Sequence, residues 1–416
     1  MVALKTITRN VLTLRLLATL TLLISSLFSL GFRWLQADVE FVNITHTVVF
    51  GERLEFSGAI ETRAAVVEVV LFLKPFGADT QVIPFKPAAD GTVNLTYDLE
   101  NKPLRAFTPV DYWYQVKLES GVESSSPVYT FLYEDNRFDW QRQDSATFKL
   151  AWATTGDPNF GAALQNSVQD SLKAAQAILP AALPTPVRIY VYPTAQEMQS
   201  AARLAAAPWA AGHASPDMGV ILISITPGPD ARAEMERQLP HEIMHILEYQ
   251  VAGSAYNQLP TWLLEGLASN AELYPNPDYQ SVLQKAVDEH NLLPLSALCQ
   301  DFPRELSGAL LGYAQSGSFV RFLIENFGSS GILNLMNRYA DGLNCEAGVQ
   351  AAFNSSLQLL ETRWQQEFLG LNAGLTAWKQ VWPYFLLAFL VIVPLGLSIL
   401  PILRKRQEIR GTNDER

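Results

Sequence analysis

Two histidines four residues apart, with a glutamate beside the first, form the segment His241-Glu242-Ile243-Met244-His245 of this 416-residue chain. On a helix, positions i and i+4 lie one above the other, so His241 and His245 can present both imidazoles to one metal ion. Glu242 need not bind that ion. Its carboxylate can accept a proton from a water whose pKa the metal has lowered to about 7. A catalytic zinc site takes three protein ligands and keeps a fourth position open, so one more ligand must come from elsewhere. Glu265, in Trp262-Leu263-Leu264-Glu265-Gly266-Leu267-Ala268, is the candidate. The segment Gly253–Gln258 reads as a loop, and Pro260 is placed to open a second helix from about Thr261 to Leu273, which can bring Glu265 back to the histidines. A third ligand of the other common type, a histidine a few residues after the second, is excluded because Glu248 and Val251 hold those positions. With five histidines in the whole chain, an accidental pair enclosing a glutamate is a poor explanation, and Glu265 weighs further against it.

These two segments resemble those of the gluzincin metallopeptidases, the peptidase MA-like branch related to thermolysin and aminopeptidase N, and the resemblance covers roughly residues 145–370. It implies that His241, His245 and Glu265 bind Zn2+, that Glu242 is the general base, and that a peptide bond is hydrolysed. Leu264 departs from the commonest pattern, in which asparagine precedes the glutamate ligand. Negative charge develops on the carbonyl oxygen in such a reaction, so a proton donor opposite the base would stabilise it. Related enzymes use a downstream tyrosine or histidine for this. The segment Leu311–Phe319 resembles the helix that follows the zinc glutamate, and Tyr313 is the candidate donor. The other reading is that Tyr313 packs a core with Phe319 and Phe322. His290 is a lesser candidate. No amine-binding glutamate motif of the aminopeptidase kind is evident, so exopeptidase activity has no support.

The elements that must position these residues read as an α+β arrangement. A strand at Thr147–Thr154, a helix over Phe160–Leu179, a strand at Val187–Tyr192, a helix near Ala195–Ala205 and a strand at Val220–Ile225 lead into the motif helix. Gly219–Ser224 is either an edge strand that could pair with an extended peptide or an ordinary inner strand. His213, just before it, reads as a loop residue. Pro240 removes one helical hydrogen bond beside His241, and a continuous helix with a bend is expected. Phe319–Phe327 and Leu357–Leu369 have helical periodicity and close a helical subdomain.

Upstream, residues 38–135 alternate apolar and polar positions in short runs, with turns at Gly51, Gly77, Asp90-Gly91 and Gly121. This pattern predicts an all-β sandwich of immunoglobulin or fibronectin type. The polar and aromatic stretch Tyr133–Gln141 is the junction. The expected boundaries are 37–140 for the β-sandwich and 141–375 for the gluzincin-type catalytic domain, flanked by two transmembrane helices.

Those flanking segments are residues 1–36, a signal anchor or signal peptide, and 381–403, a transmembrane helix followed by a cytoplasmic tail at 404–416. Leu16–Phe32 is apolar and follows Lys5, Arg9 and Arg15, while Arg33-Trp34-Leu35-Gln36-Ala37 makes a poor cleavage site, which favours an uncleaved anchor. Val381–Leu403 is long enough to cross a bilayer despite its prolines, the alternative being a buried core helix. Arg404-Lys405-Arg406 behind it places the tail inside. Both ends put the middle of the protein on the extracytoplasmic side of the cell membrane. A net charge of −11 argues against nucleic-acid binding. Cys299 and Cys345 either form a disulfide or remain two buried thiols. Asn43, Asn94 and Asn354 are glycosylation acceptors only in a host with that machinery.

The sequence therefore predicts a membrane-anchored zinc peptidase acting on peptide or protein substrates, with the oligomeric state open. The alternative is an inactive gluzincin-like scaffold or adhesion protein that binds a partner through its β domain. A hydrolase acting on a non-peptide bond is a third reading.

Overall fold

The computed structural model describes residues 39–153, 157–184, 186–203, 211–371, 378 and 381–394. Its contacts divide the chain into two units, one ending at Asp139 and the other beginning at Trp140.

In the first unit the period-two patterning folds as two antiparallel sheets. Strands β1 (Glu40–Val49), β2 (Arg53–Glu61) and β5 (Thr92–Asp98) form one, in the order β1-β2-β5. Strands β3 (Val66–Pro75), β4 (Gln81–Phe85), β6 (Pro109–Leu118) and β7 (Glu123–Ser125) form the other, in the order β4-β3-β6-β7, and β8 (Tyr129–Leu132) also pairs with β6. On β6 every second residue, Tyr112, Tyr114, Val116 and Leu118, is buried, as expected of strands with one face on a core. The sheets meet through these residues, with the Phe56 ring of β2 at 5.1 Å from that of Tyr112. The turn into β5 needs glycine: Gly91 has φ +85°, and a Cβ there would stand 2.3 Å from the Ile60 carbonyl oxygen.

The second unit begins with a five-stranded sheet of β9 (Gln141–Asp144), β10 (Phe148–Trp152), β11 (Val187–Tyr192), β12 (Gly212–Ser215) and β13 (Val220–Ser224), in the order β12-β13-β11-β10-β9. The inner strands β10, β11 and β13 run parallel, and both outer strands are antiparallel. All five residues of β13 are buried, which suits a strand covered on both faces and both edges. The edge is β12. Of the two readings of Gly219–Ser224, the structure therefore takes the inner strand, because Gly212–Ser215 lies across its free side.

Helices α1 (Phe160–Ile178) and α2 (Ala195–Ala202) connect the strands. Helix α3 (Ala231–Ala252) carries the motif and runs through Pro240. A 3-10 turn at Gly253–Gln258 leads to α4 (Thr261–Ala271), and then come α5 (Asp278–Asp288), α6 (Leu306–Ala340), α7 (Cys345–Phe353) and α8 (Leu357–Glu367). Gly328 interrupts α6 with φ +66°. One core joins Leu164 and Val168 of α1, Ile189 and Val191 of β11, Leu239 and Ile243 of α3, Trp262 and Leu263 of α4, and Phe319 and Phe322 of α6. Cys299 and Cys345 are bonded to each other.

Residues 381–394 are helical, and their large apolar side chains, among them Phe385, Leu387 and Ile392, are exposed. The rest of the expected span, to Leu403, lies outside the described residues, as does the apolar N-terminal segment. Among the described residues no helix is long and apolar enough to cross a membrane.

Candidate metal centre

The i, i+4 spacing on α3 sets His241 and His245 side by side, with ring centroids 5.1 Å apart. Glu265 reaches them from α4, whose apolar face of Trp262, Leu263, Leu267 and Ala268 is fully buried. One ligand atom from each of His241, His245 and Glu265 can be chosen so that all three lie within 4.8 Å of one another. Glu265 Oε2 stands 3.3 Å from His241 Nε2 and 3.8 Å from His245 Nε2. Bonds of about 2.0–2.1 Å at tetrahedral angles place ligand atoms roughly 3.3–3.4 Å apart, so this spacing suits zinc.

The other ring nitrogens are already engaged. His241 Nδ1 donates to Glu272 Oε1 at 3.1 Å, and His245 Nδ1 donates to Glu248 Oε2 at 2.9 Å. A carboxylate on Nδ1 fixes the ring and leaves Nε2 as the metal-facing atom. Glu272 is itself held by the Asn276 amide at 3.2 Å, and the Tyr256 hydroxyl lies 3.3 Å from His245 Nδ1. Glu265 Oε2 is buried and has no well-formed hydrogen bond. An orphaned buried carboxylate oxygen between two imidazole nitrogens is what a cation site leaves when the cation is taken away.

The electrostatics agree. Burial works against charge on His241, but contacts with Glu265 and Glu272 outweigh it and hold its pKa well above the usual value. For His245 burial is likewise outweighed, chiefly by Glu248, and the pKa is raised to about 9. Burial would raise the Glu265 pKa, yet contact with His241 brings it below the usual value. The cluster favours positive charge between these groups.

Glu242 lines the cleft beside this cluster. Burial raises its pKa, and the Ala214 amide of β12 donates to its carboxylate. Gly212 makes this approach possible, since a Cβ there would come within 2.4 Å of Glu242 Oε1. The adjoining cleft, about 380 Å³, is lined by Gly212, Arg237, His241, Glu242, Tyr279 and Tyr313 among others.

Tyr313 projects from α6 into the site. Its hydroxyl hydrogen-bonds Glu265, its ring centroid is 6.2 Å from that of His241, and the charge of Glu265 pushes its pKa up, with burial adding to the effect. Phe319 and Phe322 on the same helix turn into the core instead. A close helix crossing delivers Tyr313: Gly266 lies so near α6 that a Cβ would be 2.6 Å from the Ser316 carbonyl oxygen and 2.4 Å from Val320 Cγ2. Of the lesser candidates, His213 lies on β12, and His290 is exposed just beyond α5 and does not line the cleft. The sequence reading did not single out Glu272, Tyr256, Gly212 or Ala214, and it considered Glu248 only as a position where a third histidine ligand was missing.

The chain is similar to several known proteins. Two solved structures of yeast LTA4 hydrolase are similar at low level. The native enzyme is 11% identical over 79% of this chain and 67% of its own, with a TM-score of 0.37. The complex with bestatin is 10% identical over 76% and 64%, with a TM-score of 0.36. A bromine derivative of BhCBM56 covers 23% of this chain and 98% of its own at 11% identity and a TM-score of 0.18. No curated protein matches the sequence. The profile of the Peptidase MA superfamily matches residues 167–370, the segment that holds both histidines, Glu242, Glu265 and Tyr313. In this segment the chain is similar to the Peptidase MA superfamily.

Proposed function

We propose that the chain is a zinc-dependent peptidase anchored in a membrane with its catalytic unit on the extracytoplasmic side. The observation that carries the hydrolytic reading is the orphaned Glu265 oxygen facing two imidazoles whose Nδ1 atoms are taken by Glu272 and Glu248. His241, His245 and Glu265 would hold the ion. Bound there, zinc supplies Lewis-acid activation of water and of the scissile carbonyl.

The chain's own groups do the rest. An extended substrate backbone adds beside the outer strand β12, which sets its carbonyl beside the site. Glu242 takes a proton from the attacking water as oxygen bonds to the carbonyl carbon, and it returns that proton to the amide nitrogen as the C–N bond breaks. Burial, which raises the Glu242 pKa, suits a group that must take up and release a proton. The Tyr313 hydroxyl, already beside Glu265, turns to donate to the developing oxyanion. Tyr279, its ring parallel to that of Tyr313 with centroids 6.5 Å apart, shields this side from water.

Anchoring is supported by the apolar run Val381–Leu403 with its basic flank, and an outward-facing catalytic unit by the Cys299–Cys345 disulfide, a bond of oxidising compartments. The first unit reads as an immunoglobulin-like sandwich, supported by its two facing antiparallel sheets.

The test uses the full chain in detergent. Glu242→Gln should keep one zinc per chain and lose casein cleavage by about 10²-fold or more, whereas His245→Ala and Glu265→Ala should lose the metal. Undiminished cleavage by Glu242→Gln would overturn the mechanism.

A further inference from the structure

Helix α4 carries Glu265 yet has no side-chain cap of its own, because its N-cap residue is Pro260. Its first amides must find acceptors elsewhere. The Thr261 amide donates to the Cys299 carbonyl at 3.1 Å, and the Thr261 hydroxyl donates to the carbonyl of Gln300. One residue further on, the indole Nε1 of fully buried Trp262 donates to Cys345 Sγ at 3.3 Å. Cys299 follows the 3-10 turn Leu295–Leu298, Cys345 opens α7, and the two are joined. Both halves of the cystine therefore touch the first turn of α4, and Glu265 stands one turn beyond Thr261. The Trp262 ring in turn packs edge-on against Phe319 of α6 at 5.2 Å.

We propose that the Cys299–Cys345 disulfide positions the metal-ligand helix: it caps α4 through the Cys299 carbonyl, fastens it through Trp262, and so holds Glu265 in register with His241 and His245. The proposal rests on the metal reading given above. Without the cross-link, the segment around Cys299 and the start of α7 can part, and the uncapped first turn of α4 frays. Ligand geometry tolerates displacements of only about 0.5 Å, so a frayed turn reaches the carboxylate before it reaches the fold.

Cobalt serves as the probe, because its visible bands report ligand geometry as well as occupancy. Co2+ is titrated into the metal-free full chain in detergent, as wild type, Cys299→Ala/Cys345→Ala, Trp262→Phe, and Leu150→Ala in β10 as a control for lowered stability alone. The double variant should keep its far-ultraviolet dichroism, bind Co2+ about tenfold or more weakly and show altered visible bands. Trp262→Phe, with the disulfide intact, should move the same way by less, and Leu150→Ala should leave the bands unchanged. A folded double variant with wild-type affinity and bands overturns the proposal. If the double variant does not fold, Trp262→Phe decides alone, and wild-type behaviour there overturns it. A wild-type chain that binds no cobalt sinks the metal reading and takes this one with it, an outcome distinct from wild-type binding with unaffected variants.

Discussion

Pro240 leaves the carbonyl of Glu236 without its helical partner, and Leu273 takes that carbonyl instead. The Leu273 amide donates to it at 2.9 Å and the Tyr274 amide at 3.2 Å. Leu273 directly follows Glu272, the carboxylate on His241 Nδ1. A proline in mid-helix, ordinarily destabilising by about 3 kcal/mol, here creates the acceptor that docks the end of α4 on α3. We expect Pro240→Ala to restore an amide that competes for Glu236. The helix would gain and Glu272 would loosen, so thermal stability should hold or rise while zinc passes to a chelator about tenfold faster, the low end of the roughly 10–100-fold range of outer-shell changes. Stopped-flow transfer to a chromogenic chelator measures this, and an unchanged rate would show that Glu272 is held by Asn276 alone.

Gly212→Ala tests the approach of β12 to Glu242, the proposed general base. A methyl group cannot occupy a point 2.4 Å from Glu242 Oε1, so the carboxylate must move while the three proposed ligands stay. A displacement of about 1 Å can lower turnover by roughly 10²-fold. Zinc content should remain at one per chain while kcat falls. Parallel loss of metal would place Gly212's role in folding.

Tyr313→Phe removes only the hydroxyl. If that group donates to the oxyanion, kcat should fall by about 10²-fold with KM little changed. If it serves only to hold Glu265, metal affinity should weaken instead. Steady-state kinetics and zinc competition on the same preparation separate the two roles.

A pH effect is expected away from the centre. Burial raises the pKa of Glu361 above its ordinary 4.5, although its carboxylate accepts from the Leu295 amide. A carboxyl group with a raised folded-state pKa contributes stability that is present below pH 4.5 and lost as pH rises through the higher folded value. Glu361→Gln keeps an acceptor for Leu295 without the charge. The variant should match wild type near pH 4 and exceed it modestly at pH 7, read as a rise in Tm that appears only at the higher pH.

The histidine pair and Glu242 were legible because their relationship is local, one helical turn long. Glu265 was legible because Pro260 announced its helix. Strand β12 was not, since Gly212-His213-Ala214-Ser215 has neither the length nor the alternation of a strand signal, and without it the stronger pattern of β13 could be read as either edge or inner strand. Glu272 was hidden for another reason: its position depends on a bond that Pro240 fails to make, a relation between residues far apart in sequence. The helix read over Phe319–Phe327 is part of the longer α6, because the Gly328-Ser329-Ser330-Gly331 stretch looks like a terminator while the chain resumes helical geometry beyond Gly328. For the cysteines, composition left bonded and free forms open, and only the fold brings Cys299 to Cys345.

The backbone contact at Gly266 also limits how the site can diversify. With no room for a side chain between α4 and the Ser316 carbonyl, Glu265 and Tyr313 travel as one body, and neither can be re-aimed without the other. New substrate preferences must then arise from changes of side chain alone elsewhere in the cleft, at Leu306, Leu310 and Arg237, where the backbone that holds this pair stays in place.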